Sequence, residues 1–304
     1  MIIYCLLGIT LLFAFFTLFL VGRRATGIGQ NQSRLALAIT GGIFLYLYGA
    51  WVLLSLYLKY AYAIVFIFFL ITAITGSKPV ETVQLKQRYR PFSWLFSLIL
   101  LVLSIMYFTG SVGKNYGVAN LSFPLKHGDY IVFQGGRGLP TNLFHYRRKG
   151  MVYAMDLVKL NRAGNRANKI FSSNLGDYAI FGDTVFSPCA GRVLKTAQNN
   201  PDNTPPNRKR GPTNTNQVLI ATNDYYVFMC HMKMNEVFVK VGQPVTTGQP
   251  LGLVGNSGFS IEPHLHIQVQ QNTHNGAPWY KEPPMHIEFD GKEYMLFERI
   301  TSNQ

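Results

Sequence analysis

The sequence predicts about four membrane-spanning α-helices followed by an all-β, water-soluble domain. Three observations carry that prediction. Apolar residues are concentrated before about residue 112, and the basic residues of that region fall between the apolar runs. Past Gly110 the chain changes to short alternating runs broken by Gly, Pro, Asn and Asp, the texture of β-strands and turns. A chain of 304 residues is long for one domain, and the change of texture divides it into 1–112 and 113–304.

Residues 1–21 are almost wholly apolar and are followed by Arg23 and Arg24. No basic residue precedes the run, and its apolar core exceeds that of a cleaved leader, so a retained helix is expected. Residues 35–57, 60–75 and 91–108 supply three further candidates. Each approaches the roughly 20 residues that cross about 30 Å of hydrocarbon. A single helix over the middle stretch would run about 40 residues, roughly 60 Å, which is too long for one crossing. Two helices parted near Lys59 fit better. Gly41 and Gly42 would allow close packing of the second helix.

The basic residues set an orientation. Arg23, Arg24 and Arg34 occupy one connection, and Lys78, Lys86, Arg88 and Arg90 another; between them the short link carries only Lys59. With the two basic connections in the cytoplasm, the N-terminus and residues 113–304 lie outside the cell membrane. The apolar runs contain no acidic residue, so a plain multi-pass anchor is expected rather than an ion pathway.

The formal net charge of +14 raises nucleic acid as a partner, with Arg208, Lys209 and Arg210 as the densest cluster. No stacking platform or helix-turn-helix pattern accompanies it, so no nucleic-acid partner is expected and a solvated loop is preferred. Three cysteines do not make a disulfide framework. An oxidising location would allow one Cys189–Cys230 bridge; two small buried thiols are the preferred reading. The oligomeric state is not legible.

In the second half, strands are expected around residues 130–133, 192–194, 217–220, 225–229 and 267–270. The Asn-, Pro- and Thr-rich stretch 198–216 reads as an exposed loop, either a disordered insertion, the preferred reading, or the lip of a groove. Glycine-rich segments at 241–245, 248–252 and 255–258 read as β-turns, without the spacing of a phosphate-cradling loop. Glu262–Pro263–His264–Leu265–His266 then leads into a strand. Residues two apart on a strand share a face, so His264 and His266 project together, as a metal ligand and a neighbouring proton-transfer group would. A satisfied structural histidine is the plainer reading of such a pair alone.

The order Asp156, Gly182–Asp183–Thr184–Val185, Pro188, Gly191–Arg192–Val193, Cys230–His231–Met232, Val241–Gly242, Gly248–Gln249, Gly252, Gly255–Asn256–Ser257–Gly258 and Pro263–His264–Leu265–His266 resembles the lysostaphin-type (LytM-like) zinc endopeptidases, family twenty-three of the metallopeptidases. The resemblance covers roughly residues 153–270. It implies a small antiparallel β-fold with a groove, one zinc ion on its floor, and hydrolysis of peptide bonds in peptidoglycan stems or cross-bridges. By that resemblance Asp156 and His266 match metal ligands, and His231 and His264 match the two catalytic histidines. Catalytic zinc takes N and O ligands and keeps one position for water.

One position departs from the pattern. The family's further ligand, a histidine four residues before the aspartate, is Val152 here. Either another side chain replaces it, or the domain is a catalytically inactive wall-binding or regulatory module. Of the remaining histidines, His127 looks like a turn residue, and His274 and His286 fall in Asn- and Pro-rich loops. His145 precedes Asp156 by eleven residues across Arg147–Arg148–Lys149–Gly150, which reads as a turn. A hairpin there would set His145 and Asp156 on adjacent strands, so His145 is the expected replacement ligand, with a surface or groove-lining role as the alternative.

Overall fold

The computed structural model describes residues 2–23, 28–75, 90–112, 117–208 and 214–303. Of the basic residues that set the expected orientation, Arg24, Lys78, Lys86 and Arg88 lie outside the described residues, as do Lys209 and Arg210 of the basic cluster. The chain forms two compact units, Met1–Phe108 and Thr109–Gln304.

Among the described residues, the first unit contains four helices: α1 (Ile2–Gly22), α2 (Ile28–Tyr48), α3 (Leu56–Thr75) and α4 (Arg90–Thr109). Among the described residues, three of them are long and apolar enough to cross a membrane, in α1, α3 and α4. That corrects the expected count of about four spans. Helix α2 opens on Gln30–Asn31–Gln32–Ser33–Arg34, which leaves about 14 apolar residues, roughly 21 Å at 1.5 Å per residue. Arg34 Nη1 donates to the Leu20 carbonyl (2.7 Å), placing a cation at the C-terminal end of α1.

The expected link near Lys59 is also displaced. The break falls earlier, at a buried corner whose 3-10 turn spans Trp51–Leu53, and Lys59 sits in the first turn of α3, its ammonium 4.3 Å from the Tyr46 ring centre. Gly49 and the indole of Trp51 make this corner, the indole N–H donating to the Leu45 carbonyl (3.1 Å). Gly42 is required for packing, since a Cβ there would meet the Phe66 ring at 2.5–2.9 Å. Outward faces carry Leu12, Phe15, Ile64, Ile71 and Phe92, all more than half exposed. Such a surface is unusual for a protein in water.

Among the described residues, the second unit holds thirteen strands: β1 (Val118–Leu121), β2 (Gly128–Gln134), β3 (Met155–Lys159), β4 (Thr184–Phe186), β5 (Gly191–Ala197), β6 (Gln217–Ala221), β7 (Tyr225–Cys230), β8 (Met232–Val237), β9 (Pro244–Val245), β10 (Pro250–Val254), β11 (Leu265–Gln271), β12 (His286–Phe289) and β13 (Arg299–Ser302). One short helix, α5 (Leu143–Tyr146), interrupts the expected all-β pattern. The main sheet is antiparallel with order β13-β2-β3-β11-β7-β6-β5-β9. Strands β4, β10 and β8 form a second sheet, and β1 pairs in parallel with β12.

Strand β11 explains where the site sits. All its residues but the last are buried, yet they alternate in character. Leu265, Ile267 and Val269 join the core with Leu157 of β3 and Val227 and Met229 of β7. His266, Gln268 and Gln270 face the other way, as period-two geometry demands. At β11 the sheet therefore has an apolar face and a polar face, both buried. Cys189 and Cys230 are free and buried. His286 is not in a loop: it lies in β12, fully buried, with Nε2 2.8 Å from Glu293 Oε1. The 198–216 stretch is not a disordered insertion over its described part. Asp202 accepts from the Asn256 amide (2.6 Å), and the Asn203 side chain donates to the Gly258 and Ser260 carbonyls (2.7 and 3.0 Å).

Candidate metal centre

Asp156 and His266 are direct cross-strand partners of β3 and β11, so their side chains rise together on the polar face. His266 Nδ1 is 2.9 Å from Asp156 Oδ1. Cys230 pairs with His266 on the opposite flank, and the chain leaving it delivers His231. His264 stands just before β11, with Nε2 3.5 Å from Asp156 Oδ1. The rings of His231 and His264 are 4.6 Å apart between centres.

His145 arrives by a route different from the hairpin expected. It lies on α5, and a 3-10 turn (Lys149–Met151), not a strand, returns the chain to β3. The fully buried Asn142 closes this loop: its amide nitrogen donates to the carbonyls of Val152 (3.1 Å) and Ala154 (2.9 Å). His145 Nε2 thereby comes within 3.4 Å of Asp156 Oδ2. One ligand atom from each of His145, Asp156 and His266 lies within 4.8 Å of the others, and all three residues are buried. Val152 is the C-cap of the 3-10 turn and holds no polar group in the centre.

Each imidazole is held at its far nitrogen. The Asn142 amide oxygen, oriented by the two bonds its nitrogen makes, accepts from His145 Nδ1 (2.8 Å) and leaves Nε2 unprotonated. Gln268 Oε1 accepts from His266 Nε2 (3.0 Å), which leaves Nδ1 as the free lone pair. Those lone pairs and the Asp156 carboxylate converge, and like-signed groups at such distances need a proton or a cation among them. Two nitrogens, one carboxylate and fixed outer partners are a donor set that suits zinc. His231 and His264 are held the same way, Nδ1 donating to the Ser257 carbonyl (2.7 Å) and the Glu262 carbonyl (2.8 Å). Their Nε2 atoms are left to the site.

Burial shapes the electrostatics. It opposes ionisation of Asp156, but the neighbouring imidazoles of His145, His264 and His266 outweigh it and hold the carboxyl well below the usual range. Burial pushes His145 down to about 4 against the pull of Asp156. It also drives His231 well below its ordinary value, reinforced by His264 and His266. His231 adopts a left-handed φ of 66°, a conformation costing about 1–3 kcal/mol for a non-glycine residue and found most often at functional sites.

Two supports escaped sequence reading although their spacing was visible. Gln268 lies two residues beyond His266 on the same strand face, and Asn142 lies one helical turn before His145. A third, the buried pair Arg166–Glu262, had no local signal, since 96 residues separate its members. Its bidentate bonds (2.7 and 2.9 Å) fix the loop whose Glu262 carbonyl holds His264. On the far side, Phe228 rises from the same face as His266 and stacks on Trp279 at 4.8 Å, building the opposite wall.

Residues 176–278 match Peptidase family M23. His231, His264 and His266 fall inside that segment; His145 and Asp156 precede it. Over 62 residues the chain is 36% identical to lysostaphin of Staphylococcus simulans, covering 20% of this chain and 13% of that protein. Over 58 residues it is 36% identical to the glycyl-glycine endopeptidase ALE-1 of Staphylococcus capitis, covering 19% and 16%. The chain thus spans 13–16% of the length of these curated relatives. Among solved structures, the catalytic domain of the antimicrobial peptidase lysostaphin from Staphylococcus simulans aligns at 19% identity, covering 51% of this chain and 81% of that one, with a TM-score of 0.27.

Replacing Asn142 by Ala strands two buried carbonyls and one ring N–H. The expected cost is about 1–3 kcal/mol, read as a lower Tm of the full chain, with the loop from α5 to β3 the first to lose protection in hydrogen exchange.

Proposed function

We propose that this chain is a membrane-anchored zinc endopeptidase that hydrolyses peptide bonds in peptidoglycan stems or cross-bridges. The observation that carries the reading is the convergence of His145 Nε2, Asp156 and His266 Nδ1, with His231 and His264 beside them. The M23 match over residues 176–278 supports the reaction class, and the lysostaphin and ALE-1 likenesses support the substrate class.

In this reading His145, Asp156 and His266 hold the zinc ion. When bound, zinc supplies Lewis-acid polarisation of the scissile carbonyl and acidifies the attacking water. His231 and His264 serve proton transfer and charge stabilisation at the reacting carbon. Because both Nδ1 atoms are committed to backbone carbonyls, Nε2 is the atom that takes and returns the proton. An imidazole that has accepted it becomes a donor for the developing oxyanion. Trp279 and Phe228 on one side and the 202–203 and 257–262 segments on the other confine the peptide.

A second reading rests on Val152: with the family's usual ligand position apolar, the domain would be a wall-binding or regulatory module without catalysis. Zinc content separates the two. The full-length chain in detergent is expected to carry one zinc and to release new amino termini from purified peptidoglycan. His145→Ala should weaken zinc by more than the roughly 10–100-fold that loss of an outer partner costs. Undiminished zinc in that variant would remove His145 from the ligand set, and a zinc-free, inactive wild type would favour the binding module.

The acid–base assignment has its own test. His231→Asn, chosen because asparagine tolerates a left-handed backbone, and His264→Ala should each lower turnover about 10²–10⁴-fold with zinc retained. Unchanged hydrolysis in either variant would remove that residue from the mechanism.

The apolar surfaces of α1, α3 and α4 support a multi-pass anchor in the cell membrane; with the shorter α2 as a further crossing, both basic connections are cytoplasmic and residues 113–304 are extracytoplasmic. Protease added to intact spheroplasts should digest the C-terminal unit and spare the segments around Arg34 and Arg90. Full protection of the C-terminal unit would overturn the orientation and the wall substrate with it.

A further inference from the structure

The rim of the centre carries cations that the reaction as described does not use. Arg148 and Arg208 approach the same ring, Phe259, their guanidinium carbons 5.6 and 4.4 Å from its centre. Phe259 is 41% exposed, and both arginines are exposed. The three residues come from separate segments, each tied to the centre. The Arg148 amide donates to the carbonyl of His145 (2.9 Å). Phe259 precedes Ser260, whose hydroxyl is 3.2 Å from His264 Nδ1. Arg208 continues the segment whose Asn203 grips Gly258 and Ser260 on either side of that ring.

The local charge is unbalanced. Among the described residues no carboxylate pairs with Arg148 or Arg208. The acids of the adjoining segments are committed elsewhere: Glu262 to Arg166, Asp202 to the amides of Asn256 and Met234, and Asp156 to the histidines. Elsewhere in this unit arginine forks do meet carboxylates, Arg137 with Glu293 and Arg299 with Asp129. A guanidinium lying over a ring is held in place by its face while the N–H donors of its edge stay free. Two such groups on one ring form an exposed, positively charged lip, and its donors match a carboxylate.

We propose that Arg148 and Arg208, braced on Phe259, form a subsite that binds a carboxylate of an acidic peptide beside the scissile bond. The proposal rests on the peptidase reading and narrows it, from peptidoglycan peptides in general to carboxylate-bearing stem peptides over uncharged cross-bridges.

The test uses the full-length chain in detergent and two dye-labelled probes. One is Ala-Glu-Lys-Ala-Ala with free carboxylates; the other is its neutralised counterpart, with Gln for Glu and an amidated C-terminus. Fluorescence anisotropy on metal-free protein reads binding without requiring hydrolysis. The wild type should bind the acidic probe roughly tenfold more tightly. That preference should vanish in the Arg148→Gln/Arg208→Gln double variant and shrink in Phe259→Leu, with Tm unchanged because all three side chains are exposed. With zinc restored, the double variant should raise KM for the acidic peptide and leave kcat alone. Equal affinity of the wild type for both probes, or a preference that survives the double substitution, overturns the subsite. Acid preference without any hydrolysis would instead count against the peptidase reading, so the two failures are distinguishable.

Discussion

The register of β3 against β11 is the constraint on which the second unit depends. His266 faces Asp156 across one ladder and Cys230 across the other, at the centre of the main sheet. Because side chains alternate, that register decides two things at once. It sends Leu157, Leu265, Ile267 and Met229 into the core, and it gathers the carboxylate and imidazole on the opposite face. A slip by one residue would put histidine in the core and leucine in the groove, so hydrophobic burial itself enforces the geometry of the centre. Stability and site assembly are here the same requirement.

Much of this was legible in particular residues. The alternation of β11, the His264–His266 spacing and the turn glycines announced a polar strand face beside a core, and the order of motifs named the resemblance. Elimination pointed to His145, and the structure brings its ring to Asp156 by a route that the sequence does not show. Reading Arg147–Gly150 as a hairpin turn missed α5 because four residues carry no helical periodicity, and what shapes the loop is a side-chain bond from Asn142 to carbonyls ten and twelve residues away. His286 was misjudged because its Pro-rich flank hides a short strand that pairs with distant β1. In the first unit, the polar opening of α2 was visible, whereas the buried corner around Trp51 depends on contacts with Leu45 and Tyr62 that no local pattern reports.

The centre also shows why a set of ionisable groups can share one buried volume. Each histidine gives its outward N–H to a fixed neutral acceptor: Asn142, Gln268, or the carbonyls of Ser257 and Glu262. The inward nitrogens are thus bases by construction, and Asp156 is the one anion they face. Arg166, buried with Glu262, secures the outermost of these acceptors without adding net charge to the interior. Burying such a pair carries a desolvation penalty, offset here by bidentate bonds of 2.7 and 2.9 Å.

The loop from Asn142 to Ala154 has a thermodynamic consequence for any cation the centre would hold. Asp156 and His266 are on paired strands inside the main sheet, whereas His145 rides on a segment closed by side-chain bonds. A chelating group on such a segment makes affinity the product of intrinsic coordination strength and the fraction of time the loop is shut, so once the loop is mostly open every further 1.4 kcal/mol of easier opening loosens the ion about tenfold. By reciprocity, the ion would clamp the loop. Occupancy would therefore report on the order of this one peripheral turn, and a peptide lying across α5 would tighten or release the cation without touching it.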